Sequence, residues 1–329
     1  MKRRSFITQG ATGMVASLSL SSFSFGHKNE EWGCVRSSTE VETTVMVSGL
    51  GNPYTVLQVS DSHISCDAEA DKEFEVYSKR MGSAFPTVLH YKTKEQIAPL
   101  DGFAALMDFA RESNTDFIAL TGDIINYPSA TAVHAVQQLV DSTGIPYVYT
   151  AGNHDWHYEG MKGSAEELHA TWSEKRLKPL YHGGNPLFSS RIEGGLNIVT
   201  LDNSTYQVND EQLKFYKAQR ARPEPIVLFV HIPLYMPNLS AASCGHPEWG
   251  AATDKGFEIE RRERWPETGN KPSTVEFVKE VMATERLTGV FAGHYHRATT
   301  MSFNTVHQYI AGAAFNGQYR LIKFVPFTS

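Results

Sequence analysis

Cysteine is scarce in this chain: three in 329 residues, at Cys34, Cys66 and Cys244. That number and scatter exclude a disulfide-built scaffold and a zinc site ligated by cysteines. Positive charge is not in excess either. Thirty Lys and Arg against 36 Asp and Glu leave a net charge of −6, so a generally basic nucleic-acid binder is excluded and nucleic acid is not an expected partner. No apolar run reaches the roughly 20 residues that span a bilayer, and there is no internal repeat or low-complexity tract. With 41% hydrophobic and 11% aromatic residues, the composition is that of a globular protein rather than a disordered, collagen-like or coiled-coil chain. The length suits one large domain or two modest ones, and nothing in the sequence specifies an oligomeric state.

The first 26 residues contain no acid. Arg3-Arg4 stand just before Phe6-Ile7, and the weakly apolar stretch Ala11–Leu20 follows. This segment resembles a bacterial twin-arginine export signal, read by its translocase through the arginine pair. Cleavage is expected after Gly26, and the mature protein is expected in the periplasm or cell envelope. Residues 27–45 are polar and aperiodic and read as a linker, which leaves 46–329 as the folded domain.

Within that domain short apolar runs alternate with helical patterns. Tyr54–Val59, Phe117–Leu120, Tyr147–Tyr149, Leu196–Leu201, Ile226–Val230 and Gly289–Ala292 read as strands. Asp101–Ser113 places Phe103, Leu106, Met107 and Ala110 on one helical face. Ser129–Ser142 does the same with Val133, Val136 and Val140. Asn209, with Gln212 three residues on, predicts a capping box that opens the helix 210–218. A last helix is expected over 273–285, and Val306–Ile310 with Tyr319–Phe324 reads as a closing strand pair. Alternation of this kind predicts an α/β layered domain.

The residues that follow the strands carry the chemistry. Five strands run into Asp61-Ser62-His63, Gly122-Asp123, Gly152-Asn153-His154-Asp155, His231 and Gly293-His294-Tyr295-His296. Ligands of open α/β sheets bind beyond the carboxyl ends of strands, so these side chains converge. Carboxylate, carboxamide and imidazole without thiolate suit borderline-hard divalent ions, and the ligands outnumber the needs of one ion.

In this order the motifs resemble those of the calcineurin-like metallophosphoesterase superfamily, from Asp61 to His296. The resemblance implies a four-layer α/β/β/α sandwich of two mixed sheets. It implies that Asp61, His63, Asp123 and His296 hold one metal, and that Asn153, His231, His294 and the shared Asp123 hold another. The two transition-metal ions (Mn, Fe or Zn, divalent or mixed-valence) would bridge a hydroxide, and His154 would face the scissile phosphate as proton donor. Two departures stand out. Asn126 occupies a position where family phosphatases often have an aspartate pairing with the histidine of the third motif. Tyr127 lies one place too late for the tyrosine iron ligand of purple acid phosphatases, and His63 is present.

Asn126, Asp155, His157 and Tyr158 are candidate pocket residues. Substrate choice is expected from the insertions 64–100 and 234–272. The first carries Cys66, Lys79 and Arg80. The second carries Asn238, Cys244, His246, Trp249, Arg261, Arg262, Arg264 and Trp265. A Cys66–Cys244 disulfide and two free thiols are both open. The expected function is that of an exported dinuclear phosphohydrolase acting on a small phosphoester, as a phosphomonoesterase or a phosphodiesterase. The alternative is a non-catalytic, metal-stabilised module that binds a phosphorylated envelope component or a partner protein.

Overall fold

A computed structural model of the protein describes residues 33–237, 239, 244 and 270–327. The proposed signal segment lies outside the described residues, as do Asn238, His246, Trp249, Arg261, Arg262, Arg264 and Trp265.

The strands are β1 (Cys34–Ser38), β2 (Glu42–Val47), β3 (Tyr54–Val59), β4 (Val88–Leu89), β5 (Gln96–Ile97), β6 (Phe117–Thr121), β7 (Tyr147–Thr150), β8 (Phe188–Glu193), β9 (Leu196–Leu201), β10 (Ile226–Phe229), β11 (Leu287–Ala292), β12 (Thr299–Phe303), β13 (Val306–Ile310) and β14 (Arg320–Pro326). The helices are α1 (Glu75–Gly82), α2 (Pro99–Glu112), α3 (Ala130–Asp141), α4 (Ala165–Trp172), α5 (Asp210–Arg220) and α6 (Pro272–Met282). Two six-stranded sheets dominate, with orders β1-β2-β14-β3-β6-β7 and β12-β13-β11-β10-β9-β8. Both are mixed. β3, β6 and β7 run parallel in the first sheet, and β9, β10, β11 and β13 run parallel in the second.

The central strands are mostly apolar because both of their faces are covered. Val45, Val56, Phe117, Ala119 and Val148 of the first sheet share one buried cluster with Ile198, Val227, Phe229, Phe291 and Tyr309 of the second. The intervening residues Leu57, Val59, Ile118 and Leu120 belong to a second cluster with Phe103, Leu106 and Met107 of α2 and Val133, Val136 and Val140 of α3. Each such side chain, fully buried, contributes roughly 1.5–3 kcal/mol. The layers are therefore α/β/β/α, as expected from sequence. Helix starts follow the local chemistry: Ser129 Oγ accepts from Ala132 N at the head of α3, and Asn209 and Gln212 cap α5 reciprocally.

Two sequence expectations are corrected. Residues 34–45 are not linker. β1 and β2 form an antiparallel pair, Cys34 opposite Val47, and both belong to the folded domain. Their pattern is weak because β2 is held by β14, far away in sequence, with Leu321 opposite Glu42. Likewise β13 and β14 are not a pair: β13 forms a hairpin with β12 in the second sheet, whereas β14 fills the gap between β2 and β3 in the first. Fully buried Arg320 at the start of β14 ties the sheets together, donating to Thr43 Oγ1 (2.8 Å) and to Ile310 O (3.0 Å).

Candidate metal centre

The five strand ends meet at one edge of the sandwich. Two groups of ligand atoms form there, each within 4.8 Å of one another: Asp61, His63, Asp123 and His296, and Asp123, His231 and His294. Asp123 belongs to both. Its Oδ2 lies 3.3 Å from His231 Nε2 and 3.8 Å from His63 Nε2, while its Oδ1 accepts from His154 N at 2.8 Å. Asp61 faces His296 Nε2 at 3.5 Å and accepts the backbone N–H of His294.

The backbone is bent to make this possible. Asp61, His63, Asp123, His294 and His296 all have left-handed conformations, with φ of 57°, 45°, 51°, 71° and 58°. Each costs about 1–3 kcal/mol and persists only where the surroundings enforce it. The motif glycines answer to close approach. A Cβ on Gly122 (φ +85°) would stand 2.5 Å from His231 Nδ1, and one on Gly152 would stand 2.2 Å from Asp123 Oδ1.

Hydrogen bonds fix the imidazole tautomers. His231 Nδ1 donates to Thr121 O at 2.8 Å, which in the neutral ring leaves Nε2 as the acceptor. Asn126 Nδ2 donates to Met81 O (2.8 Å), so its Oδ1 turns to the histidines and accepts from His63 Nδ1 (3.3 Å) and His154 Nδ1 (3.1 Å). His63 Nε2 then points at the cluster, 3.2 Å from His296 Nε2. Buried His231 Nε2 and Asn153 Oδ1 have no hydrogen-bond partner among the described residues. Lone pairs facing lone pairs in a buried site are costly unless a cation lies between them. The donor set therefore fits two divalent ions of the oxygen- and nitrogen-binding kind.

Burial and the facing charges together set the protonation of the cluster. Burial raises the pKa of Asp61 despite the nearby His296. Against the effect of burial, His231 and His154 hold Asp123 well below the usual carboxylate range. Burial opposes protonation of His231 too, yet the Asp123 carboxylate pushes it up to about 9. His63, buried beside His154, is held well below the usual histidine range.

The four pocket candidates are all buried, as the ligand residues Asp61, His63 and His231 are. Asn126 is fully buried behind the two histidines that it orients. Asp155, also fully buried, accepts from the backbone N–H groups of Asp123, Ile125 and Gly152 at 2.9, 2.9 and 2.7 Å. Burial and the neighbouring Asp123 push its carboxyl up to about 7. His157 is 4% exposed. Tyr158 sits in an aromatic core with Phe74, Tyr127 and Trp172. Lys79 and Arg80 pair with Glu75 and Glu159, and Cys66 and Cys244 are free thiols.

Four contributors escaped the sequence reading. Half-buried Phe85 stacks on His63 (4.2 Å, 15°), and Phe315 lies edge-on to His296 (5.0 Å, 85°). Asn203 and Tyr206 follow β9. The signal for them was present: β9 also ends in Asp202-Asn203, a sixth strand carrying an acid and an amide at its carboxyl end.

Two ligand groups sharing a carboxylate, raised on the strand ends of a four-layer sandwich, define a metal-dependent phosphoesterase. The chain belongs to the calcineurin-like phosphoesterase family, whose sequence model matches residues 54–298. A dimetal phosphatase from Danio rerio shares the fold with a TM-score of 0.51 at 11% identity, over 82% of this chain and 91% of that one. A purple acid phosphatase from yellow lupin seeds matches with a TM-score of 0.47 at 9% identity, over 83% of this chain and 47% of that one. No curated protein sequence matches the chain.

Proposed function

We propose that the protein is an exported phosphohydrolase that cleaves a small phosphoester, monoester or diester, with two ions of Mn, Fe or Zn held by Asp61, His63, Asp123 and His296 on one side and Asp123, Asn153, His231 and His294 on the other. The observation that carries this reading is the pair of ligand groups sharing Asp123 within 4.8 Å. When bound, such an ion pair supplies Lewis-acid charge for the phosphoryl oxygens and an activated water. The chain's own part in the proton transfer falls to His154. Its backbone N–H is fixed on Asp123 and its Nδ1 on Asn126, so Nε2 is the ring atom left to deliver a proton to the departing oxygen. Asn126 is neutral and orients the ring without the charge a carboxylate would add.

A phosphate-release screen over monoesters, diesters, nucleotides and sugar phosphates, with and without added metal, tests the activity. Metal-dependent turnover of at least one class is expected. Two bound equivalents with no turnover on any class would leave a metal-stabilised binding module. Export rests on Arg3-Arg4, and changing both to Lys should hold the precursor in the cytoplasm. Envelope fractionation that is unaffected would overturn that route.

A further inference from the structure

Tyr206 is the sixth non-glycine residue at this edge of the sandwich with a left-handed backbone, φ 62°. For an aromatic residue that is a true outlier, and its cost of about 1–3 kcal/mol calls for an enforcing context. Tyr206 is fully buried, and its hydroxyl lies 2.7 Å from His294 Nε2. Its backbone N–H is pinned to Asn203 O at 2.7 Å. Asn203 in turn clamps the residue after His231 from both sides, donating to Ile232 O (2.7 Å) and accepting from Ile232 N (2.9 Å). Ser204, between them, accepts from Trp156 Nε1 at 2.8 Å. One short loop after β9 thus grips the three segments that present His231, His294 and Asn153.

We infer that Tyr206 and Asn203 are positioning residues for the ion held by Asp123, Asn153, His231 and His294, and that they serve this ion and not the other. With His294 Nε2 engaged by the phenol, the neutral ring carries its proton there, donates it to the Tyr206 oxygen and assigns Nδ1 to the ion. This is the relation that second partners of metal-bound histidines commonly have, and losing such a partner typically costs about 10–100-fold in metal affinity. Asn203 does the equivalent for His231 through the backbone. The ion held by Asp61, His63 and His296 has its own support in Asn126 and gains nothing from this loop. The inference rests on the dinuclear reading above.

The test is a Mn2+ titration of the full-length, chelator-stripped protein by calorimetry, with the melting temperature of the stripped form measured alongside. Wild type should show two binding events. Tyr206→Phe, which removes only the hydroxyl, should weaken one event about 10–100-fold and leave the other unchanged, while the stripped melting temperature falls by no more than the loss of one buried hydrogen bond. Asn203→Ala should weaken that same event, and Asn126→Ala the opposite one. In a His294→Ala background, Tyr206→Phe should have no further effect on either event, because the hydroxyl acts through that ring. Two wild-type events in Tyr206→Phe, or equal weakening of both, would overturn the assignment. A wild-type chain that binds fewer than two ions would instead overturn the dinuclear reading itself.

Discussion

The two sheets bring unlike chemistry to the edge where they meet. Both carboxylates, Asp61 and Asp123, stand on the ends of β3 and β6 in the first sheet, whereas His231, His294 and His296 stand on the ends of β10 and β11 in the second. The contacts run across: Asp123 to His231 at 3.3 Å, Asp61 to His296 at 3.5 Å. Neither sheet alone offers a balanced coordination sphere, since one carries the charge and the other most of the nitrogen. A bound ion pair is therefore also a clamp between the sheets, set at the open rim of an interface whose base is the apolar layer of Phe117, Phe229 and Phe291. Metal affinity and sheet packing should be coupled quantities.

The sharpest way to break this arrangement is Asp123→Asn, which withdraws the one charge shared by both ligand groups. Several kcal/mol of charge stabilisation is at stake. At about 1.4 kcal/mol per decade, kcat/KM should fall on the order of 10³-fold or more, with metal content falling below one equivalent by elemental analysis. His63→Ala, by contrast, should empty chiefly one position.

His154 belongs to the first sheet's side but holds no ion in this scheme, so removing it should separate proton transfer from metal binding. His154→Ala should lose roughly 10²–10⁴-fold in kcat on an alkyl phosphoester and far less on a nitrophenyl one, both ions being retained. Equal losses on the two substrates would deny it the acid role.

Stripping the metal should lower the melting temperature and expose a pH dependence that the loaded protein lacks. In the stripped form the His231 pKa is raised from 6.5 to about 9 by Asp123, so the folded state holds a proton that the unfolded state releases. That stabilisation is complete below about pH 6.5 and is lost as the pH rises to about 9. Melting curves of chelated protein across that window should decline, and those of His231→Gln should not.

The smallest effect on activity distinguishes the two buried layers. Phe291→Ala between the sheets and Leu106→Ala beneath α2 should each cost about 2–5 kcal/mol in denaturant unfolding. Only the former should also weaken metal binding, because only it loosens the seam that the ions span.

Most of the candidate centre was legible because it is encoded locally: an apolar run, a glycine where backbone approaches backbone, then an acid, amide or imidazole. Capping was legible for the same reason at Asn209. What escaped depends on partners distant in sequence. β1 and β2 have no strong pattern of their own and owe their state to β14. Val306–Ile310 and Arg320–Phe324 are both good strands, but nothing in either says which sheet it joins. Tyr206 went unread, because its partner is a histidine 88 residues away.

The place of β14 also orders events in time. It is the filling between β2 and β3, and its Lys323 bonds Glu42 across 281 residues of chain. During synthesis those two strands emerge early and must wait, edges unpaired, until residues 320–326 have left the ribosome. Strand β3, which carries Asp61 into the centre, gains its second neighbour only then. Contacts of such long range are slow to close, so this half of the site should be among the last parts of a nascent chain to become able to grip an ion.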